Sequence, residues 1–462
     1  MKNIVLIFPA ILFTLLSCKK PSSLADVWLS HPDEGLLFVQ QEPIQILFDE
    51  DDKADIEISE NIEFQEMEGF GYTLTQGSAK HLLGMDAKAR TELLKELFDP
   101  QIGIGVSFLR LSIAASDLND YPFSYHDVED GQEDPSLEKF DLGPDRLDVL
   151  PILKEILSIQ PQIKLMASPW SPPAWMKDNK DTRGGQLLPE NYSAYALYFL
   201  KYIQYMAAEG INIDAITIQN EPLHPGNDPS LLMLPEEQAE FIKNHLGPTF
   251  EAAGISTKIL IYDHNADKPE YPISILNDAE TKKYIHGSAF HLYAGKIDAL
   301  SEVHKAHPDK HIYFTEQWVG APGDMKGDLI WHVKNLLIGG PKNWAKTVLE
   351  WNLSSNPELT PYTERGGCKN CLGAVTISGN EVSRNPAYYV IAHASKFVRP
   401  GSIRIDSSEM KGLPNVAFRT PEGKIVLIML NETGKEQKVK IRLKDQIGIY
   451  TMPPSAVATL VI

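Results

Sequence analysis

The stretch "DAITIQNEP", Asp214 to Pro222, decides how this chain is read. Its isoleucines and threonine suit a strand buried against other elements. The run then stops on an amide, a carboxylate and a proline. A strand that simply runs out into a polar loop would account for such an ending. So would a catalytic carboxylate at the mouth of a barrel, and the surrounding sequence has to choose between the two.

On both sides of this stretch the pattern alternates. Strand-like runs are "EMEGFGY", "GVSFLRLSI", "IKLMAS", "AITIQN", "KILIYDHN", "SAFHLY", "HIYFTEQ" and "KTVLEWNL". Helical patterns such as "DAKARTELLKELFD", "RLDVLPILKEILSI" and "NYSAYALYFLKYIQYMAAEG" lie between them. Eight buried strands alternating with helices fit a (β/α)8 TIM barrel over residues 64–397. A doubly wound sheet is the other α/β solution. It would carry a glycine-rich phosphate loop after its first strand; "GFGYTLTQGSA" is too loose for that, and there is no Walker sequence. Both flanks change character. Residues 24–63 ("LLFVQQ", "IQILFD", "ADIEIS") and 398–462 ("SIRIDS", "NVAFRT", "KIVLIML", "QKVKIRL", "AVATLVI") are strand-like, without long helical runs. They predict an attached β-sandwich built by the C-terminus and completed by an N-terminal strand or two.

The chain has 462 residues, 43% of them hydrophobic, enough for a barrel and an accessory domain. Its net charge is −19, with no basic block after the leader. That argues against nucleic acid, whose phosphates call for lysine and arginine. It also argues against attachment to an anionic membrane by charge alone. Residues 1–18 read as a leader: Lys2 precedes the apolar run "IVLIFPAILFTLL", short of the roughly 20 apolar residues that span a bilayer. It ends Leu15-Leu16-Ser17-Cys18, which resembles a bacterial lipobox, with Cys18 as the lipidated residue; an ordinary leader with an incidental cysteine is the alternative. Acyl chains on Cys18 would be the membrane attachment, in a bacterial cell envelope, facing the periplasm or the cell surface. The following "KKPSSLADVW" lacks an acidic export run, which favours the periplasm. The other two cysteines, Cys368 and Cys371 in "GGCKNCLG", read as a local disulfide in an exported chain. Free thiols and a redox pair stay open, whereas zinc would want a second ligand pair.

In such a barrel catalytic groups sit at the C-terminal ends of strands. Here those ends read "RLSIAASDLNDY", "SPWSPPAWMK", "QNEP", "HLYAG", "TEQW" and "EWNL". Glu221 and Glu316 end the fourth and seventh strands, and Trp170, Trp175, Tyr293, Trp318 and Trp351 are expected on the same face. Paired carboxylates among aromatic platforms suit glycoside hydrolysis. One carboxyl must hold a proton for the departing oxygen while the other stays ionised for attack at the anomeric carbon.

The segments "EGFGYTLTQGSA", "FLRLSIAASDLNDYPFSY", "MASPWSPPAWMK", "ITIQNEP", "FHLYAG", "FTEQWVG" and "LEWNLSSNP", in this order, resemble glycoside hydrolase family 30. This family includes glucosylceramidases and β-1,6-glucanases. "AYYVIAHASKFVRPGSIRI" resembles the family's return into its sandwich. The resemblance implies a retaining mechanism without cofactor or metal. Glu221 would be the acid/base and Glu316 the nucleophile. Asn220 would bind the sugar 2-hydroxyl and Asp117 hydroxyls at the far end of the −1 glucose. Trp170 would hydrogen-bond the sugar and Trp351 form its stacking floor. Arg110 would orient carboxylates or serve as a structural ion pair below them. Tyr293 would tune the nucleophile, and His291 would position or contact.

Two departures bear on substrate. His291-Leu292-Tyr293 stands where glucosylceramidases often carry His-Trp-Tyr, which is expected to alter one wall. "YTERGGCKNCLGAVTI" looks more like the β-1,6-glucanase branch. The expected substrate is therefore a β-1,6-glucan. A glucosylceramidase acting on glycolipid or small β-glucosides, and a non-catalytic glycan-binding lipoprotein, are the alternatives.

Overall fold

The computed structural model describes residues 23–48, 53–129 and 131–462. Cys18 and the apolar leader lie outside the described residues. Eight parallel strands close into one barrel: Gly69–Leu74, Phe108–Ile113, Lys164–Pro169, Ala215–Thr217, Lys258–Ala266, Ile285–Gly295, His311–Glu316 and Ala345–Asn352, the last pairing with the first. Gly71 shows how tightly the first strand packs there. A Cβ on it would stand 1.8 Å from the Phe108 carbonyl oxygen.

Period-two alternation fills the barrel in layers. Phe108, Met166, Ala215, Leu260, Ala289, Tyr313 and Leu349 form one buried apolar layer. Two residues further along their strands come Arg110, Ser168, Thr217, His291, Thr315 and Trp351, all buried. An apolar layer thus supports a polar one, directly below the strand ends. The fifth strand breaks the alternation. Its register shifts between Tyr262 and His264, and Tyr262 and Asp263 have φ of 73° and 62°. The bulge sends Tyr262 outward against Tyr271 and Phe290, and Asp263 into the polar layer.

The outer helices follow their apolar faces. Val149–Ile159 buries Val149, Leu150, Ile152, Leu153 and Ile156, the spacing of one helical face, and Asp148 caps it through the Val149 N–H. Tyr192–Ala208 buries a row of tyrosines against the barrel.

The second body has nine strands whose hydrogen bonding runs round in a closed ring. Six come from the C-terminal segment, and three from the N-terminal one: Ser23–His31, Leu36–Phe48 and Ile56–Glu66. This corrects the expectation of one or two. "LLFVQQ" and "IQILF" join into the single strand Leu36–Phe48, and "SLADVWLSH" forms an additional one between that strand and Ala456–Val461. The additional strand closes edges that would otherwise expose unpaired N–H and C=O groups. The two bodies meet at Arg404, buried over the Phe64 ring at 3.5 Å and bonded through Nε to Gln65 at 3.0 Å. Gln65 Nε2 in turn donates to the Pro341 carbonyl at 2.6 Å, so the joint is fixed to the barrel.

Candidate active site

The cavity at the C-terminal ends of the barrel strands has a volume of about 330 Å³. Asp117, Trp170, Asn220, Glu221, Tyr293, Glu316 and Trp351 all line it. Other expected residues do not. Trp175 turns into the hydrophobic core and donates its indole N–H to the His126 carbonyl. Arg110 and His291 are fully buried beneath the cavity and touch carboxylates rather than its open space. Leu292 packs into the core and is not among the residues that line the cavity. Trp318, His224, Asn227, Gly366, Gly367 and the sulfur pair Cys368–Cys371, joined as a disulfide, complete the wall.

Arg110 organises the floor. It donates to Glu316 Oε2 at 2.5 Å, Asn220 Oδ1 at 2.7 Å, Asp263 Oδ2 at 2.8 Å and Ser168 Oγ at 3.2 Å. Its guanidinium carbon lies 4.8 Å from the centre of the Trp170 ring, and Trp170 leans on Trp351 at 5.3 Å. Cation, amide, nucleophile candidate and aromatic floor are therefore held as one unit. With its oxygen committed to Arg110, Asn220 keeps its amide nitrogen for the cavity.

Asp263, absent from the expectations, is the counter-charge. It accepts from Arg110, from Thr217 and Ser168 at 2.7 and 2.9 Å, and from Thr315 at 2.6 Å, and it faces His291 Nε2 at 3.2 Å. The same strand-end rule, applied to "YDHN" on the fifth strand, points to it. Alternation from Leu260 conceals it, because the bulge adds a residue.

Glu221 sits just past the fourth strand with φ of 46°, an uncommon conformation for a residue with a Cβ. Its N–H is held by the Asp263 carbonyl at 2.9 Å. An oxygen of Glu221 and one of Glu316 lie within 4.8 Å of each other. His291 Nδ1 stands 3.1 Å from Glu221 and 3.7 Å from Glu316. Both ring nitrogens of His291 face carboxylates, so the imidazolium can donate at both. Burial would lower its pKa, but Glu316, Asp263 and Glu221 outweigh burial and raise it to about 10. Burial pushes Glu221 up, and His264 and His291 more than offset that, holding it low. The opposed shifts favour the proton on His291, whose Nδ1 lies 3.1 Å from Glu221. Glu316 is raised: burial first, and the Glu221 charge, push it up more than His291, Arg110 and the Tyr293 hydroxyl, which donates to its Oε1 at 2.8 Å, pull it down. Burial and the Glu316 charge keep the Tyr293 phenol protonated.

Glu221, His291 and Glu316 have the spacing of a metal site. Their donor atoms are already engaged, however: His291 by two carboxylates, Glu316 by Arg110 and Tyr293. Asp117 is raised to about 8, by burial and then by the charges of Glu316 and Glu221. Its Oδ1 is buried with no partner. A buried polar atom with nothing to bond costs free energy that a ligand hydroxyl would recover.

Comparison with known proteins gives a consistent picture. The description "Glycosyl hydrolase family 30 TIM-barrel domain" matches residues 67–398, and "Glycosyl hydrolase family 30 beta sandwich domain" matches 401–460. An endo-1,6-beta-D-glucanase of Aspergillus fumigatus is 34% identical over 86% of this chain and 85% of its own length. Lysosomal acid glucosylceramidase of Mus musculus is 29% identical over 85% of this chain and 80% of its own. Among solved structures, the endo-beta1,6-glucanase BT3312 superposes with a TM-score of 0.87 at 34% identity, covering 95% of this chain and 99% of that one. SrfJ from Salmonella typhimurium superposes at 0.89 with 28% identity, over the same shares.

Proposed function

Since the chain belongs to glycosyl hydrolase family 30, we propose that it is a retaining endo-β-1,6-glucanase in which Glu316 attacks the anomeric carbon and Glu221 protonates the departing oxygen. The observation that carries the reaction type is the carboxyl separation, within 4.8 Å at the nearest oxygens. Retaining enzymes hold the pair about 5–5.5 Å apart, whereas inverting ones leave room for a water.

The steps follow from the contacts. Trp351 and Trp170 take the face of the −1 glucose, and Asn220 its 2-hydroxyl. Asp117 offers its unpartnered oxygen to a hydroxyl at the far end. Arg110 and Tyr293 aim Glu316 and favour its ionised form against burial. As the glycosidic bond breaks, the proton stored between His291 and Glu221 passes through Glu221 to the leaving oxygen, and the C1–O bond to Glu316 forms. Glu221, now a carboxylate, then takes a proton from water as that water attacks C1, which releases Glu316 and resets the pair. The negative charge of Glu316 contributes to holding the proton on His291. Forming the neutral glycosyl ester removes that charge and readies Glu221 to act as base.

The linkage rests on two supports: relatives described as endo-1,6-glucanases at 34% identity, and a Gly-Gly-Cys-x-x-Cys loop that lines the cavity. Incubation with pustulan and with glucosylceramide tests it. A ladder of gentiooligosaccharides is expected, and glucose released only from the lipid would replace this reading with a glucosylceramidase. Glu316→Ala should lose activity by orders of magnitude and regain it with azide as a glycosyl azide of inverted configuration. Binding of glucan without turnover by the wild type would make it a lectin-like protein instead. Supported by "LLSC", we also infer attachment to a bacterial envelope through lipidated Cys18. Cys18→Ser should then move the protein to the soluble fraction.

A further inference from the structure

The loop after the eighth barrel strand crosses the cavity mouth and is tied down on the far side. Its Arg365 donates to both oxygens of Asp181, at 2.6 and 2.9 Å, to Asp228 at 2.9 Å and to Thr182 Oγ1 at 3.0 Å. Thr363 donates its hydroxyl to the Asp228 carbonyl. Gly366 lies so close to Gly226–Asp228 that an added Cβ would stand 2.6 Å from the Gly226 oxygen. The receiving loops, after the third and fourth strands, are themselves pinned by buried Lys177. Its ammonium donates to Ser171 Oγ, the Thr182 carbonyl and the Ser230 carbonyl at 2.8–3.0 Å.

Between these anchors the loop grips Asp117. The Thr363 N–H donates to the Asp117 carbonyl at 3.0 Å, and the Cys368 backbone N–H offsets part of the upward push on the Asp117 carboxyl. A Cβ on Gly367 would stand 2.7 Å from the Asp117 carbonyl oxygen. Cys371 packs with Leu118, Trp170 and Trp351, so the disulfide braces the stacking floor as well as the loop.

We infer that Arg365 and the Cys368–Cys371 bridge are positioning residues for glycone recognition: they hold this loop so that Asp117 keeps one fixed oxygen for a sugar hydroxyl. The loop holds the Asp117 backbone carbonyl, and the carboxyl Oδ1 beside it is buried without a partner. A carboxyl free to rotate would share itself between loop, water and sugar, and would recognise none of them sharply. Arg365 never reaches the cavity; it acts through Asp117. The inference rests on the glycosidase reading and on Asp117 facing the glycone.

The test compares an aryl β-glucoside with its 4-deoxy and 6-deoxy analogues in the full-length enzyme. Wild type should discriminate against the analogue that lacks the hydroxyl held by Asp117. Arg365→Ala is the first variant, because that side chain is 50% exposed and its removal leaves the core intact. It should cut the discrimination about tenfold through KM, with kcat on the glucoside within about threefold. Arg365→Lys keeps the charge but not the fork and should recover only part of the loss. Wild type treated with a thiol reductant, its bridge opening confirmed by mass, should behave like Arg365→Ala. Unchanged discrimination in Arg365→Ala and in the reduced enzyme overturns the inference, as does an equal fall in kcat on all three sugars. A wild type inactive on the glucoside and on pustulan alike would instead refute the glycosidase reading, and the inference with it.

Discussion

Replacing Asp263 with asparagine tests the proton store directly. The side chain keeps its shape but loses its charge, 3.2 Å from His291 Nε2. At an effective dielectric of about 20, a unit charge at that distance is worth roughly 5 kcal/mol, or about 4 pKa units. His291, held at about 10 in the wild type, should therefore fall to about 6. The sign is definite, since removing a carboxylate lowers the affinity of its neighbours for protons. In the wild type neither the His291 nor the Asp117 proton leaves below about pH 8, so kcat/KM should hold to that pH. In Asp263→Asn the alkaline limb should move down by about 2 units, with a fall in kcat because Arg110 loses one of its two carboxylate partners and leans harder on Glu316. The assay is kcat/KM against pH on an aryl β-glucoside, with a thermal melt showing that the variant is native at the assay temperature. Breaking a buried ion pair costs about 3–5 kcal/mol, so some loss of Tm is expected as well. An alkaline limb still at or above pH 8 would refute the argument, because His291 would then owe its proton to something other than Asp263.

Other outcomes follow from single contacts. Tyr293→Phe removes the hydroxyl that donates to Glu316 at 2.8 Å. A hydrogen bond to a charged group is worth about 1.5–3 kcal/mol, so kcat should fall about 10- to 100-fold with KM little changed. Glu68, at the opposite end of the barrel, is pushed up by burial but held at about 2 by Lys258 and Lys346. Its folded pKa is depressed, so its contribution, about 3 kcal/mol, is complete above the unfolded pKa near 4.5 and is lost as pH falls through about 2. Glu68→Gln should cost about that much in urea melts at pH 7, and the gap should close toward pH 2. Leu427→Ala, in the buried centre of the nine-stranded body, should cost about 2–5 kcal/mol without changing kcat.

The polar ending of "DAITIQNEP" was legible because strand ends in a parallel barrel all point to one face, so chemistry placed there interrupts an apolar run. Local order alone brought out the eight barrel strands, the two glutamates, Trp170, Tyr293 and Trp351; the resemblance to the family added Asn220 and Asp117. Period-two alternation and the flanking turns are properties of the chain that survive without neighbours. The tertiary structure decided what depends on neighbours. Trp175, read as part of the aromatic face, turned into the core because its indole N–H had a carbonyl to satisfy there. Arg110 and His291 proved to lie under the cavity. Asp263 entered the site only through a bulge, which no alternation pattern predicts. The sequence by itself determined which chemistry the barrel mouth could perform. Only folding decided where the proton waits and what holds Asp117 still, because both depend on charges and loops far apart in the chain that meet across a cavity a few ångströms wide.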